Sequence, residues 1–230
     1  MTIQTSPPGA LRAFSTGYFT SESNTANTVA IDSSGMTLIN EVDLRSSLGR
    51  TYSPQDVINM GQVEVSGGDS WSYASFIVTS CGVKHCVGVT VQGDALTWGS
   101  SDGNRLGSSG GNAILPVDTT NLLNNVVVSA LAVDYPTDPS SSATLLLTAS
   151  GALYGFGGDT NIIGIPPTNI PRKLTFPLLT GKTIGRMCRK GAYVMVSTAD
   201  NKVYSWGPPD TTFYLGRGGR SEEPLQLPIT

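Results

Sequence analysis

Short runs of alternating apolar and polar residues, broken at close intervals by Gly, Pro, Asn or Asp, make up most of the chain. That pattern predicts short β-strands joined by turns. The clearest run is Gly93-Asp-Ala-Leu-Thr-Trp-Gly99, followed by a tight turn at Asp102-Gly103-Asn104 and a closing Leu106-Gly107. The same wording returns as Gly151-Ala-Leu-Tyr-Gly-Phe-Gly157 with Ile163-Gly164, and as Asn201-Lys-Val-Tyr-Ser-Trp-Gly207 with Leu215-Gly216. A worn copy reads Gly35-Met-Thr-Leu-Ile-Asn-Glu41 with Leu48-Gly49. The leading residues 35, 93, 151 and 201 lie 58, 58 and 50 positions apart, a period that marks a repeat architecture.

Each copy has the same order of parts. A strand leads to a turn and Leu-Gly, then to a Pro-bearing stretch such as Ile114-Leu115-Pro116-Val117 or Glu223-Pro224-Leu225. Two apolar strands follow, for example Val126-Val127-Val128 and Leu145-Leu-Leu-Thr148, and the second runs into the next leading residue. Four short strands per unit predict an all-β fold, a β-propeller of about four four-stranded blades. Residues 1–10 are expected to be a flexible arm and residues 11–230 a single propeller domain. Counted from the leading residues, the chain begins with half a unit (Leu11 to Asp32) and ends with half a unit (Asn201 to Thr230). The expectation is that these halves pair, N-terminal strands against C-terminal strands, and close the ring. The alternatives are an eight-bladed ring from two chains, or an open arc completed by a partner.

Val203-Tyr204-Ser205-Trp206-Gly207 and Cys81-Gly82-Val83-Lys84-His85-Cys86 resemble the regulator of chromosome condensation (RCC1-like) repeat. That repeat runs Gly-X-(Val/Leu)-Tyr-X-Trp-Gly, then Gln-Leu-Gly, a Pro, and Gly-X-X-His. The first copy departs from it, with Asn40 in the aromatic position and Glu41 in the glycine position. The resemblance implies a propeller, and the family's best-known members have seven blades. It also implies two possible roles, guanine-nucleotide exchange and chromatin adaptation. Trp98, Phe156 and Trp206 share one repeat position and are expected to pack between blades. Leu106, Ile163 and Leu215, with Leu48, form a second equivalent layer.

Composition narrows the functional classes. Only 13% of residues are charged, so Ser, Thr, Asn and Gly cover much of the surface. The net charge of −3 conceals a split: residues 1–170 carry a balance of −8 and residues 171–220 a balance of +7. Such a split steers charged partners or aligns copies of the chain. No signal-peptide pattern or transmembrane-length apolar run is visible, so an intracellular, cytoplasmic or particle-incorporated protein is expected, without membrane association. Three cysteines (Cys81, Cys86, Cys188) cannot all pair within one chain, which favours a reduced state.

Candidate chemistry is sparse. Cys81, His85 and Cys86 hold zinc-type donors, but His85 and Cys86 are adjacent and point to opposite faces of a strand, so no metal is expected. His85 is the only histidine, and no third residue orients a Cys–His pair; no catalytic residues and no cofactor are expected. The Arg217-Gly-Gly-Arg220 piece could meet an anion, yet no phosphate-loop pattern accompanies it, and nucleic acid is disfavoured. The stretch Asp134-Tyr-Pro-Thr-Asp-Pro-Ser-Ser-Ser142 is expected to be an inserted loop. The contact candidates are Trp71, Tyr73, Asp134, Tyr135, Arg217 and Arg220. These features favour a non-catalytic protein-interaction or assembly module, such as a component of a virion or another large complex, binding protein partners or its own copies. Exchange factor, chromatin adaptor, enzyme inhibitor and glycan binder are the alternatives.

Overall fold

The computed structural model describes residues 13–18, 26–31, 37–40, 61–62, 76–107, 115–122, 126–135, 138–208 and 224–227. The first four segments are described as backbone only, as are Leu115, Tyr135 and residues 138–140. Among the described residues the fold consists of four antiparallel four-stranded sheets, the blades. Blade one is β1 (Ala13–Tyr18), β2 (Ala26–Ile31), β3 (Thr37–Asn40) and β4 (Gly61–Gln62). Blade two is β5 (Phe76–Cys81), β6 (His85–Thr90), β7 (Ala95–Gly99) and β8 (Leu115–Pro116). Blade three is β9 (Val127–Tyr135), β10 (Asp138–Thr148), β11 (Leu153–Gly157) and β12 (Thr168–Lys173). Blade four is β13 (Ile184–Lys190), β14 (Tyr193–Thr198), β15 (Val203–Trp206) and β16 (Leu225–Gln226).

Strand order follows chain order in every blade, and this corrects the expected closure. The N-terminal pair β1–β2 does not seek the C-terminal strands; β2 pairs with β3 through Ala30↔Leu38 and Ile31↔Thr37. The C-terminal pair β15–β16 completes blade four, with Val196 opposite Tyr204. The reason lies at the leading residue of each repeat. Gly93, Gly151 and Asn201 all take positive φ, at 90°, 77° and 59°, and each occupies the tip of a hairpin. A hairpin tip forces its flanking strands to pair, so a boundary drawn there cuts a blade in half. The sequence repeat straddles two blades, and the apparent half-units at the ends belong to complete blades.

The expected loop from Asp134 to Ser142 is also corrected. β9 and β10 extend as a long hairpin, with Asp138 opposite Tyr135, Ser142 opposite Asp134, and a register shift between them. The other expected strands fall where the alternation places them, and the Pro-bearing stretches form the short fourth strands β8 and β16.

The blades pack face to face. Val87, Val89 and Ala95 of blade two meet Ala130, Ala132, Leu146, Tyr154 and Phe156 of blade three. The opposite face of blade three presents Leu131, Leu145, Leu147 and Leu153 to Ile184, Val194, Val196 and Trp206 of blade four. Blade three is therefore apolar on both faces, which is why Leu145-Leu-Leu147 reads as a continuous apolar run rather than an alternation.

Candidate functional site

Two kinds of contact tie the blades together, and a third surface is left partly open. The first contact is an aromatic socket. After β11, Asp159 caps a single helical turn, α1 (Thr160–Ile163), by accepting from the Asn161 N–H at 3.0 Å. Gly164 closes that turn with its N–H on the Thr160 carbonyl at 2.8 Å. The Ile162 carbonyl accepts from Trp206 Nε1 of the next blade at 2.9 Å, and Phe176 tilts against the indole with ring centroids 5.3 Å apart. One blade earlier the same geometry recurs without the hydrogen bond: a Cβ on Gly107 would stand 2.7 Å from the Phe156 ring. Trp98, Phe156 and Trp206 are each fully buried, as are Leu106 and Ile163. Leu215 lies outside the described residues.

The second contact is a buried charge cluster that sequence reading misplaced. Asp134 was expected at the surface as a contact residue. It is 2% exposed and reaches from β9 into the turn between β5 and β6. Its carboxylate accepts from the backbone N–H of Lys84 at 2.8 Å, from that of His85 at 3.3 Å and from His85 Nδ1 at 2.9 Å. Arg105 Nη1 stands 3.4 Å away. His85 Nε2 lies 2.9 Å from the Thr144 hydroxyl, whose own proton goes to the Arg105 carbonyl at 2.7 Å. Both ring nitrogens of His85 are thus held by side chains of blade three, Nδ1 by Asp134 and Nε2 by Thr144. Burial alone would push the Asp134 carboxyl up. The charge and hydrogen bond of His85, the Lys84 amide and the Arg105 guanidinium outweigh it and hold the group at about 2.

An Asp–His–hydroxyl line of this kind serves hydrolases elsewhere. Here His85 and Thr144 are buried, at 1% and 0% exposure, and the hydroxyl proton is committed to a backbone carbonyl. The arrangement joins blades two and three. The zinc-type set is likewise divided: Cys81 and Cys86 form a disulfide while His85 turns to Asp134. That disulfide corrects the expectation of reduced cysteines; Cys188 is a free, exposed thiol.

The third surface is the outer face of blade four. Cys188, Tyr193, Met195, Ser197 and Val203 occupy the positions that Leu131, Ala143, Leu145, Leu147 and Leu153 hold on the covered face of blade three. Those blade-three residues are buried, whereas Tyr193, Met195, Ser197 and Val203 are half-buried and Cys188 is exposed. Arg186 and Lys190 stand exposed on the same face, and exposed Arg172, Lys173 and Lys202 add to the positive charge of this end. Tyr135 ends β9, and its side chain is not described. Trp71, Tyr73, Arg217 and Arg220 lie outside the described residues. Among the described residues, no helix is long and apolar enough to cross a membrane.

Fold and repeat sequence define the class: the chain is a β-propeller, similar in structure and in repeat sequence to RCC1-like proteins. No family model matches it. Its structure superposes on human WBSCR16 with a TM-score of 0.72 at 15% identity, covering 100% of this chain and 55% of that one. Prp20p from Saccharomyces cerevisiae gives a TM-score of 0.71 at 18% identity, with coverage of 99% and 52%. In sequence, the E3 ubiquitin-protein ligase HERC2 of Mus musculus is 30% identical over 147 residues, which is 62% of this chain and 3% of that protein. The chain thus spans about half the length of the solved propellers it matches and a small part of the curated relative.

Proposed function

We propose that this propeller is a non-catalytic protein-binding module that docks an acidic protein surface on the outer face of blade four, as one part of a larger multi-copy assembly. The observation that carries this reading is the contrast between blade faces. The equivalent face of blade three, Leu131, Leu145, Leu147 and Leu153, is covered by blade four. On blade four the same positions are half-open and ringed by Arg186 and Lys190. A half-apolar sheet face with a cationic rim fits a protein partner of opposite charge better than lipid or a small ligand. The acidic balance of residues 1–170 makes a second copy of the chain one such partner. Prp20p, a fold relative, has been characterised for binding to Gsp1p and histones, which supports a protein partner in general.

The test is a comparative pull-down from the native source, using the wild-type chain and the double variant Arg186→Glu, Lys190→Glu. Capture of a stoichiometric acidic protein, weakened in the variant and by added salt, is the expected result. Equal capture by both chains would remove the docking face from consideration. Accelerated nucleotide release from a captured GTPase would favour the exchange-factor alternative, and a doubled mass of the chain in sedimentation would identify its own copy as the partner.

A further inference from the structure

We propose that the Cys81–Cys86 disulfide is a redox-operated catch on the interface between blades two and three. Cys81 ends β5, Cys86 lies in β6, and the two are direct cross-strand partners with Cα atoms 4.1 Å apart. Between them sits the turn Gly82 to His85, closed by the Gly82 N–H on the His85 carbonyl at 2.7 Å. This turn is the receptor for Asp134. Its Lys84 and His85 amides and the His85 ring hold the carboxylate, and a Cβ on Gly82 would fall 2.1 Å from Asp134 Oδ2. The disulfide therefore fixes both ends of the loop that grips the neighbouring blade. Arg189 of blade four donates to the Cys81 carbonyl, so three blades meet at the bonded pair.

Opening the catch takes two electrons and two protons from an external dithiol. The sulfur–sulfur bond breaks, two thiols form, and the dithiol leaves as its own disulfide. Cys81 and Cys86 are 0% and 2% exposed, so the reductant acts on turns that have transiently opened. Once reduced, the turn no longer presents its donors as a preformed set. A carboxylate buried at 2% exposure then depends on partners whose ends are untied.

The test follows amide hydrogen exchange in the whole chain before and after dithiothreitol. Exchange at Lys84 and His85 is expected to become at least about tenfold faster on reduction, while Val196 in blade four keeps its rate. The Cys81→Ser, Cys86→Ser double variant should exchange like the reduced protein and ignore dithiothreitol. In Asp134→Asn, reduction should lower the thermal midpoint by less than in wild type, because the disulfide acts through that carboxylate. Unchanged exchange at Lys84 and His85, or a parallel rise at Val196, would overturn the proposal. So would alkylation of both thiols in protein prepared without reductant. If Asp134→Asn does not fold, the wild-type exchange experiment decides alone.

Discussion

At the scale of single residues, the molecule depends on a few side chains that cross from one blade to the next. Trp206 combines a fully buried indole with a hydrogen bond to the Ile162 carbonyl. Trp206→Ala should cost about 3–5 kcal/mol, and Trp206→Phe, which keeps most of the packing, nearer 1 kcal/mol. Chemical denaturation of the two variants checks both the size and the order of the effects. Gly107→Ala should also destabilise, by about 1–3 kcal/mol, because its Cβ would meet the Phe156 ring and its φ of +62° suits glycine. A thermal midpoint unchanged in Gly107→Ala would mean that the aromatic is not seated there.

Asp134 sets a pH limit on the same interface. Its carboxyl titrates at about 2 in the folded chain against an ordinary value of 3.8. A depressed carboxylate contributes stability that is present above the unfolded value and lost as pH falls through the folded one. Wild type should therefore lose stability between pH 3.8 and about pH 2 more steeply than Asp134→Asn does. Parallel denaturation curves across that range would show that the carboxylate contributes nothing through ionisation.

At the scale of elements, the repeated part is the socket rather than the isolated strand. A capped turn ending in Ile163-Gly164 receives Trp206, and a turn ending in Leu106-Gly107 receives Phe156. Trp98 Nε1 is buried and has no hydrogen-bond partner among the described residues. The buried indole N–H should therefore be shielded from solvent by packing. A strongly protected Trp98 indole proton in hydrogen-exchange NMR is the expected observation, and rapid exchange would deny that the indole is buried.

The hairpin tips show what repeat reading recovers and what it misses. Gly93, Gly151 and Asn201 are correctly singled out as the recurring residues, and the strands on either side are correctly identified. Their role as tips within a blade, rather than borders between blades, was not legible. A one-dimensional period carries no phase, and only the pairing of Thr198 with Lys202 or Thr148 with Ala152 across the tip supplies one.

At the scale of the whole molecule, charge and blade order act together. Blade two packs on blade three and blade three on blade four, so the exposed cations Arg186 and Lys190 of blade four come at one end of this succession. Binding through that end should weaken steeply with ionic strength, since exposed charges are screened over about 10 Å at 0.1 M salt. Capture that is indifferent to salt would point instead to an apolar interface elsewhere on the propeller.

Composition and periodicity by themselves determined that the chain is all-β, that it carries four units, and which aromatics and leucines are equivalent. Those properties are local, set by alternation, turn residues and spacing along one dimension. Tertiary structure alone decided how the units divide into blades, that Asp134 is an interior anchor rather than a surface contact, and that Cys81 and Cys86 face each other across a hairpin. Each of these depends on which strand lies beside which. Partners 49 positions apart, such as His85 and Asp134, meet only after the sheets have stacked.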